Sequence, residues 1–245
     1  MIDLNGKRAL VTGAGVRVGA AIATELGRRG MTVALHYHSS DAGARETAKA
    51  IEAAGGQAAL FQADLSDPSA AAALARRVTA DLGGLEVLVP SAANFENVAL
   101  DDIDDGHWER ALMLNLRAPF ELARAAAPAL RASRGAIVFI TGFGTEVPYT
   151  GYLPYLASKG ALRQVMRTLA LELAPEVRVN AVAPGTVLPP EDMTAEATEA
   201  LVSKAPLRKV GAASDVAEAV AYLASAPYVT GQQLLVDGGR SVAST

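Results

Sequence analysis

Tyr155 and Lys159, in the stretch YLASK, are the pair in this chain whose types and spacing best suit acid–base chemistry. At positions i and i+4 they share one face of a helix. An ordinary tyrosine ionises near about 10, so it exchanges a proton at neutral pH only with help. A neighbouring ammonium stabilises the phenolate and draws that pKa down. The plainer alternative is an amphipathic helix whose tyrosine packs and whose lysine reaches out to solvent. Asn115, in LMLNLRAPF, is polar within an apolar helical stretch. It predicts a kink or a water-holding site, against the alternative of a satisfied core asparagine.

A second set of residues lies near the N-terminus. TGAGVRVGAA (12–21) joins a strand-like run to a helix-like one. Gly13, Gly15 and Gly19, with Val18 in the same turn, would let the backbone approach a pyrophosphate at the helix N-terminus. An ordinary strand-to-helix loop with packing glycines competes, but the position after the first strand of an alternating chain favours a dinucleotide. Arg17 could meet a phosphate or a substrate carbonyl, or be a solvated loop charge. His36, Tyr37, His38, Ser39 and Ser40 close the second strand-like run, where a fold preferring NAD commonly places an acid. They are neutral or weakly basic donors to a 2′-phosphate, so NADP(H) is expected over NAD(H), with Asp41 adding a negative charge nearby. Alternatively, the two histidines merely alternate between core and surface.

These residues need a frame. Runs of strand length fall at 7–13, 31–38, 57–64, 85–90, 135–142, 177–184 and 232–239. Helical patterns fall at 19–30, about 41–54, 67–84, about 102–131 and about 152–174, with Asp67 as N-cap and Pro68 at the first helical position of the third. Doubly apolar strands alternating with helices imply an α/β, doubly wound Rossmann fold: a parallel sheet of about seven strands with helices on both faces. No linker or repeat divides residues 1–245, so a single domain is expected.

Composition narrows the partners. The chain has 51% apolar residues and a formal net charge of −4, with its cations scattered, which argues against nucleic acid and anionic membranes. It has no cysteine and only three histidines, so thiolate chemistry is excluded and no metal site is expected. MIDLNGKRALVTG runs straight into a strand without a signal peptide's apolar stretch, and no apolar run spans a membrane, so a cytoplasmic location is expected.

TGAGVRVG, ADL at 63–65, Asn115, YLASK at 155–159, VNAVAPG at 179–185 and VDGG at 236–239 occur in an order that resembles the short-chain dehydrogenase/reductase family over essentially the whole chain. Arg17, LHYHSS (35–40) and GYLPYLASKGAL (151–162) resemble its pteridine reductase branch. The resemblance implies hydride transfer to a C=O or C=N bond of a small carbonyl or pteridine-like substrate. Tyr155 would be the proton donor, Lys159 would also hold the nicotinamide ribose, and Asn115 would connect the lysine to solvent. It further implies that Asp64 and Leu65 border the adenine, with Asp64 as a plain loop N-cap the alternative. Ser91 and Ala92 would flank the cofactor, and Pro184, Gly185 and Thr186 would meet the nicotinamide end. The last strand would help to build a homotetramer.

Three departures stand out. Where the family usually has Ser, and the pteridine reductases Asp, this chain has Gly142, which offers no side chain to the substrate oxygen. Thr141 beside it should point to the opposite face of the strand. Pro90-Ser91-Ala92-Ala93 replaces Asn-Asn-Ala-Gly, and Ser39 stands where the branch has Arg after its HYH triplet. These changes leave open a small-carbonyl or 3-oxoacyl reductase, or a nucleotide-binding protein with little turnover. Phe95 and Tyr152 match aromatic residues of the branch that would contact substrate, although Phe95 could equally cap the core. Residues 184–211 read as a substrate loop over the cleft, with Leu188, Met193 and Leu201 as lining candidates, or else as structural decoration.

Overall fold

Seven short strands pair side by side, and the central ones are buried on both faces by the helices that connect them. The computed structural model describes residues 1–188 and 193–243. The strands are β1 (Arg8–Val11), β2 (Thr32–Tyr37), β3 (Gln57–Gln62), β4 (Val87–Val89), β5 (Ala136–Ile140), β6 (Arg178–Pro184) and β7 (Gln233–Val236). The described helices are α1 (Arg17–Arg28), α2 (Asp41–Ala53), α3 (Pro68–Leu82), α4 (Asp105–Leu112), α5 (Ala118–Ser133), α6 (Leu153–Glu172), α7 (Ala195–Ser203), α8 (Ala213–Ser225) and α9 (Arg240–Ala243). The sheet is parallel throughout, in the order β3-β2-β1-β4-β5-β6-β7. This is the doubly wound, single-domain architecture expected, with its order reversing between β1 and β4, where such sheets open a crevice at the strand C-termini.

Strand alternation divides the core between the two faces. Leu10, Leu88, Ile137 and Phe139 pack with residues of α3, α5 and α6, whereas Val11, Val33, Leu35 and Val138 pack with residues of α1 and α8. Helix α3 starts as its sequence dictates: Asp67 Oδ1 accepts from the Ser69 amide at 2.8 Å, and Pro68 occupies the first turn.

Two helical elements around the site differ most from the sequence expectation. The helix expected over 102–131 is divided by a π-helical turn, Met113–Arg117, centred on Asn115, so the kink expected there takes the form of one wide turn. Residues between the substrate loop and the last strand, which were assigned no element, form α8. Its alanine-rich ASDVAEAVAYLAS is a good helix former, and Asp215 Oδ2 accepts from the Ala212 amide at its start at 2.8 Å. No described helix is long and apolar enough to cross a membrane.

Candidate active site

The C-terminal ends of the strands open onto a cavity of about 670 Å³. Its walls include Gly13, Gly15, Arg17, Val18 and Gly19 from the first turn, His36 to Ser40 after β2, Asp64 and Leu65 after β3, and Ser91, Ala92 and Phe95 after β4. Tyr152, Tyr155 and Lys159 come from the start of α6, and Pro184, Gly185, Thr186, Leu188, Met193 and Leu201 from the segment after β6. The expected site residues thus share one cleft, with Asn115 the exception. Pro189 and Pro190 of the expected substrate loop lie outside the described residues.

The glycine turn is built for close approach. Gly13 has a φ of 66°, and a Cβ on Gly19 would fall 2.1 Å from the Gly13 carbonyl oxygen, so neither position tolerates a side chain. Thr12 braces this turn against the next wall, its Oγ1 accepting from the amides of Ser91 and Ala92 at 3.0 and 3.1 Å. Sequence reasoning missed that role, which compensates in part for the asparagines absent after β4. Arg17, between Gly15 and Gly19, donates from Nη2 to the Leu188 carbonyl and so ties the glycine turn to the segment after β6.

His36 is corrected. Its Nδ1 accepts from the Gly13 amide at 3.2 Å, and its Nε2 donates to the Ala63 carbonyl at 3.1 Å. The ring is 2% exposed, and burial pushes its pKa down to about 4, so it is neutral. Both nitrogens hold the ends of β1, β2 and β3 together, and neither is left to meet a phosphate. His38 is exposed, with Nε2 3.9 Å from Asp64 Oδ2. Asp64 turns into its own loop, accepting from the Ser66 amide and hydroxyl at 2.9 and 2.7 Å, bonds that hold its carboxyl below the usual range. The charge on Asp41 is met by Arg45 in a two-point contact at 2.7 and 3.2 Å. Arg45, with the Tyr37 hydroxyl, holds the Asp41 carboxyl low.

On α6, Lys159 is 4% exposed and donates to the Ile140 carbonyl at 2.8 Å. Its Nζ stands 5.8 Å from the centre of the Tyr155 ring. Burial pulls the ammonium down to about 8. Desolvation, with a smaller effect from Tyr149, pushes the Tyr155 phenol above its ordinary value. Within the protein alone desolvation therefore sets the state of the phenol, which stays protonated at neutral pH.

Asn115 sits behind the cleft. It is fully buried, with Oδ1 accepting from the Asn94 amide at 2.9 Å and Nδ2 donating to the Asn94 carbonyl and Ser158 Oγ, each at 3.2 Å. Ser158 in turn donates to the Tyr155 carbonyl at 2.6 Å. The asparagine side chain therefore clasps the Asn94 segment to the helix carrying Tyr155 and Lys159.

Phe95 is 57% exposed, stacks on Tyr152 at 4.2 Å and meets Tyr155 edge-on at 4.8 Å. Phe143, Tyr149 and Arg240 are among the lining residues that escaped the sequence reading. Tyr149 stacks on Phe143 at 5.3 Å, and Arg240 lies over Phe143 at 4.4 Å while its Nη1 donates to Thr186 Oγ1 at 2.7 Å. The arginine directly follows VDGG, and the tyrosine lies three positions before Tyr152; each adjacency was the available signal.

The profile of the enoyl-(acyl carrier protein) reductase family matches residues 13–241. The chain belongs to the short-chain dehydrogenase/reductase family. This short-chain oxidoreductase is 38% identical over 252 residues to 3beta-hydroxysteroid dehydrogenase 1 of Eggerthella lenta, covering 98% of this chain and 95% of the relative. It is 34% identical to a 3-oxoacyl-(acyl-carrier-protein) reductase of Staphylococcus aureus, covering 95% and 97%. Among solved structures, the angucycline C-6 ketoreductase LanV with bound NADP superposes with a TM-score of 0.91 at 30% identity, covering 98% of both chains. A blue fluorescent protein from a metagenomic library, in complex with NADPH, gives 0.90 at 34%, covering 97% of this oxidoreductase and 99% of that chain.

Proposed function

We propose that this oxidoreductase is NADP(H)-dependent and acts at the carbon of a C=O or C=N bond, with Tyr155 as proton donor and Lys159 assisting. The observation that carries the reading is the meeting, in one cleft, of the Tyr155–Lys159 pair with a glycine turn that admits no side chains. When bound, a nicotinamide dinucleotide supplies or accepts the hydride. The backbone of Gly13, Gly15 and Gly19 would receive the pyrophosphate at the N-terminus of α1. Tyr37, His38, Ser39 and Ser40 would face the 2′-phosphate, Arg17 would meet a phosphate or the substrate carbonyl, and Asp64 and Leu65 would border the adenine. Lys159 would hold the ribose, while Gly185 and Thr186 would meet the carboxamide. Tyr155 gives its proton to the substrate oxygen or nitrogen, and Asn115 positions the helix that carries it. NADP in LanV and NADPH in the blue fluorescent protein support the cofactor assignment.

The relatives that act on 3-oxoacyl and hydroxysteroid groups support a ketone or alcohol substrate. A pteridine-like ring is the second reading, supported by the motif resemblance and by Phe95, an aromatic wall 57% exposed in a site that suits planar rings. Assembly as a homotetramer belongs to the same proposal, supported by β7, which ends the sheet with an unpaired edge; light scattering tests it. Function is tested by titrating the protein with NADPH and NADH. NADPH oxidation is then followed with an acetoacetyl thioester, a 3-ketosteroid and a dihydropteridine. Tight NADPH binding with turnover of at least one is expected. Binding without turnover of any would make it a nucleotide-binding protein whose Gly142 has cost it catalysis.

A further inference from the structure

Reduction of a carbonyl, the reading on which this inference rests, gains from a second hydrogen-bond donor at the substrate oxygen, and Gly142 has none to offer. The position nonetheless faces the chemistry: its backbone is extended, and a Cβ built there would stand 3.3 Å from the Tyr155 hydroxyl. Nearby hydroxyls are engaged elsewhere. Thr141 Oγ1 lies 2.8 Å from Gln233 Oε1 and 3.2 Å from the Val182 carbonyl. Thr145 Oγ1 donates to the Gly142 carbonyl at 2.9 Å and accepts from Gln233 Nε2 at 2.8 Å.

Tyr149 differs. Its ring lies on Gly144, where a Cβ would come within 2.8 Å of Cε1, and so it folds back over the segment that Gly142 begins. Phe143 supports it from a stacked position, and Tyr152 meets it edge-on at 5.5 Å. It lines the cleft together with Gly142 and Tyr155, and its hydroxyl makes no hydrogen bond among the described residues. Desolvation pushes this phenol up to about 12, so it is a donor at neutral pH. Tyr152 also lines the cleft, but its ring is stacked on Phe95 at 4.2 Å, whereas that of Tyr149 lies on Gly144.

We propose that the Tyr149 hydroxyl is the second donor to the substrate oxygen, doing what a side chain at Gly142 would otherwise do. As the hydride reaches the carbonyl carbon, the C=O π electrons move to oxygen, which takes the proton of Tyr155. Tyr149 keeps its own proton and hydrogen-bonds to that oxygen throughout.

The test compares wild type, Tyr149→Phe, Tyr152→Phe, Gly142→Ser and the double variant Tyr149→Phe/Gly142→Ser. The probes are an acetoacetyl thioester and a 3-ketosteroid, and NADPH binding is read by its fluorescence. Tyr149→Phe is expected to lower kcat by about 10²–10³ with NADPH affinity unchanged, and more than Tyr152→Phe does. Gly142→Ser should raise kcat by a larger factor in the Tyr149→Phe background than in wild type. Tyr149→Phe within about threefold of wild type, or a double variant no faster than Tyr149→Phe, overturns this proposal and leaves the role of Tyr155 standing. A wild type that binds NADPH but reduces neither these probes nor a dihydropteridine overturns the reductase reading and the proposal with it.

Discussion

The ammonium of Lys159 is anchored to the main-chain carbonyl of Ile140 at 2.8 Å, at the end of β5, and not to the Tyr155 phenol. Its anchorage is buried, and its pKa falls to about 8 because the charged form is desolvated. A lysine whose folded pKa lies below its unfolded value adds stability above the unfolded value, near about 10.5, and forfeits it as pH falls through 8. At pH 7 Lys159 is therefore a stability cost of about 3 kcal/mol. Lys159→Met should be inactive yet more resistant to urea than wild type at pH 7, with the gap shrinking by pH 10. An equal gap at both pH values would contradict a desolvated ammonium.

Tyr155→Phe removes the proton and little else, because the ring's packing against Phe95 is retained. Turnover should be lost while NADPH affinity stays within about twofold. The phenol is held protonated, so the alkaline limb of kcat/KM for reduction should come from Lys159, near pH 8. Surviving turnover would move the donor to another phenol.

His36 makes a different prediction as a brace than as a phosphate contact. His36→Leu leaves the Gly13 amide and the Ala63 carbonyl without partners, at about 1–3 kcal/mol of stability for each. NADPH and NADH affinities should fall by the same factor, whereas a phosphate-reading histidine would affect NADPH selectively. Its folded pKa of about 4 lies below the unfolded value, so its contribution is present above about 6.5 and lost as pH falls towards 4. Denaturation curves of wild type at pH 7 and pH 5 should show that loss, and those of His36→Leu should not.

Cofactor selectivity rests on exposed charge. Arg45→Ala releases the carboxylate of Asp41 beside the expected 2′-phosphate position. NADPH should then bind several-fold more weakly with NADH unchanged, an effect that shrinks with added salt. Ser39→Arg should act in the opposite direction, tightening NADPH about tenfold. Equal effects on both dinucleotides would place the phosphate elsewhere.

Much of this arrangement was legible before any coordinate. Doubly apolar strands between helices leave few topologies open, and the glycine turn, the YLASK pair and the cap at Asp67 are local signals that the fold preserves. The misreadings share another cause. His36 and His38 look alike in a strand of alternating residues, and only the tertiary meeting with Gly13 and Ala63 makes one a brace and leaves the other exposed. Tyr149 and Arg240 enter the cleft from segments far apart in sequence, so no spacing links them. Asn115 signalled an irregular helix, but its partner Asn94 is set by the path of the chain after β4. Strand ends were overread because apolar character outlasts pairing: 85–90 was expected where only Val87–Val89 form the strand.

The wide turn at Met113–Arg117 bears on how insertions and deletions are tolerated here. A π turn holds one residue more than the α turn it replaces, so dropping a single residue from this segment would let one unbroken rod run from Asp105 to Ser133. The wide turn absorbs its extra residue locally, so the faces of α4 and α5 would stay nearly aligned after that deletion, whereas the same loss inside the regular part of α5 would turn everything beyond it by about 100°. Shortening the chain at the wide turn should therefore cost chiefly the amide grip on Asn94, and shortening it within α5 the buried seam as well.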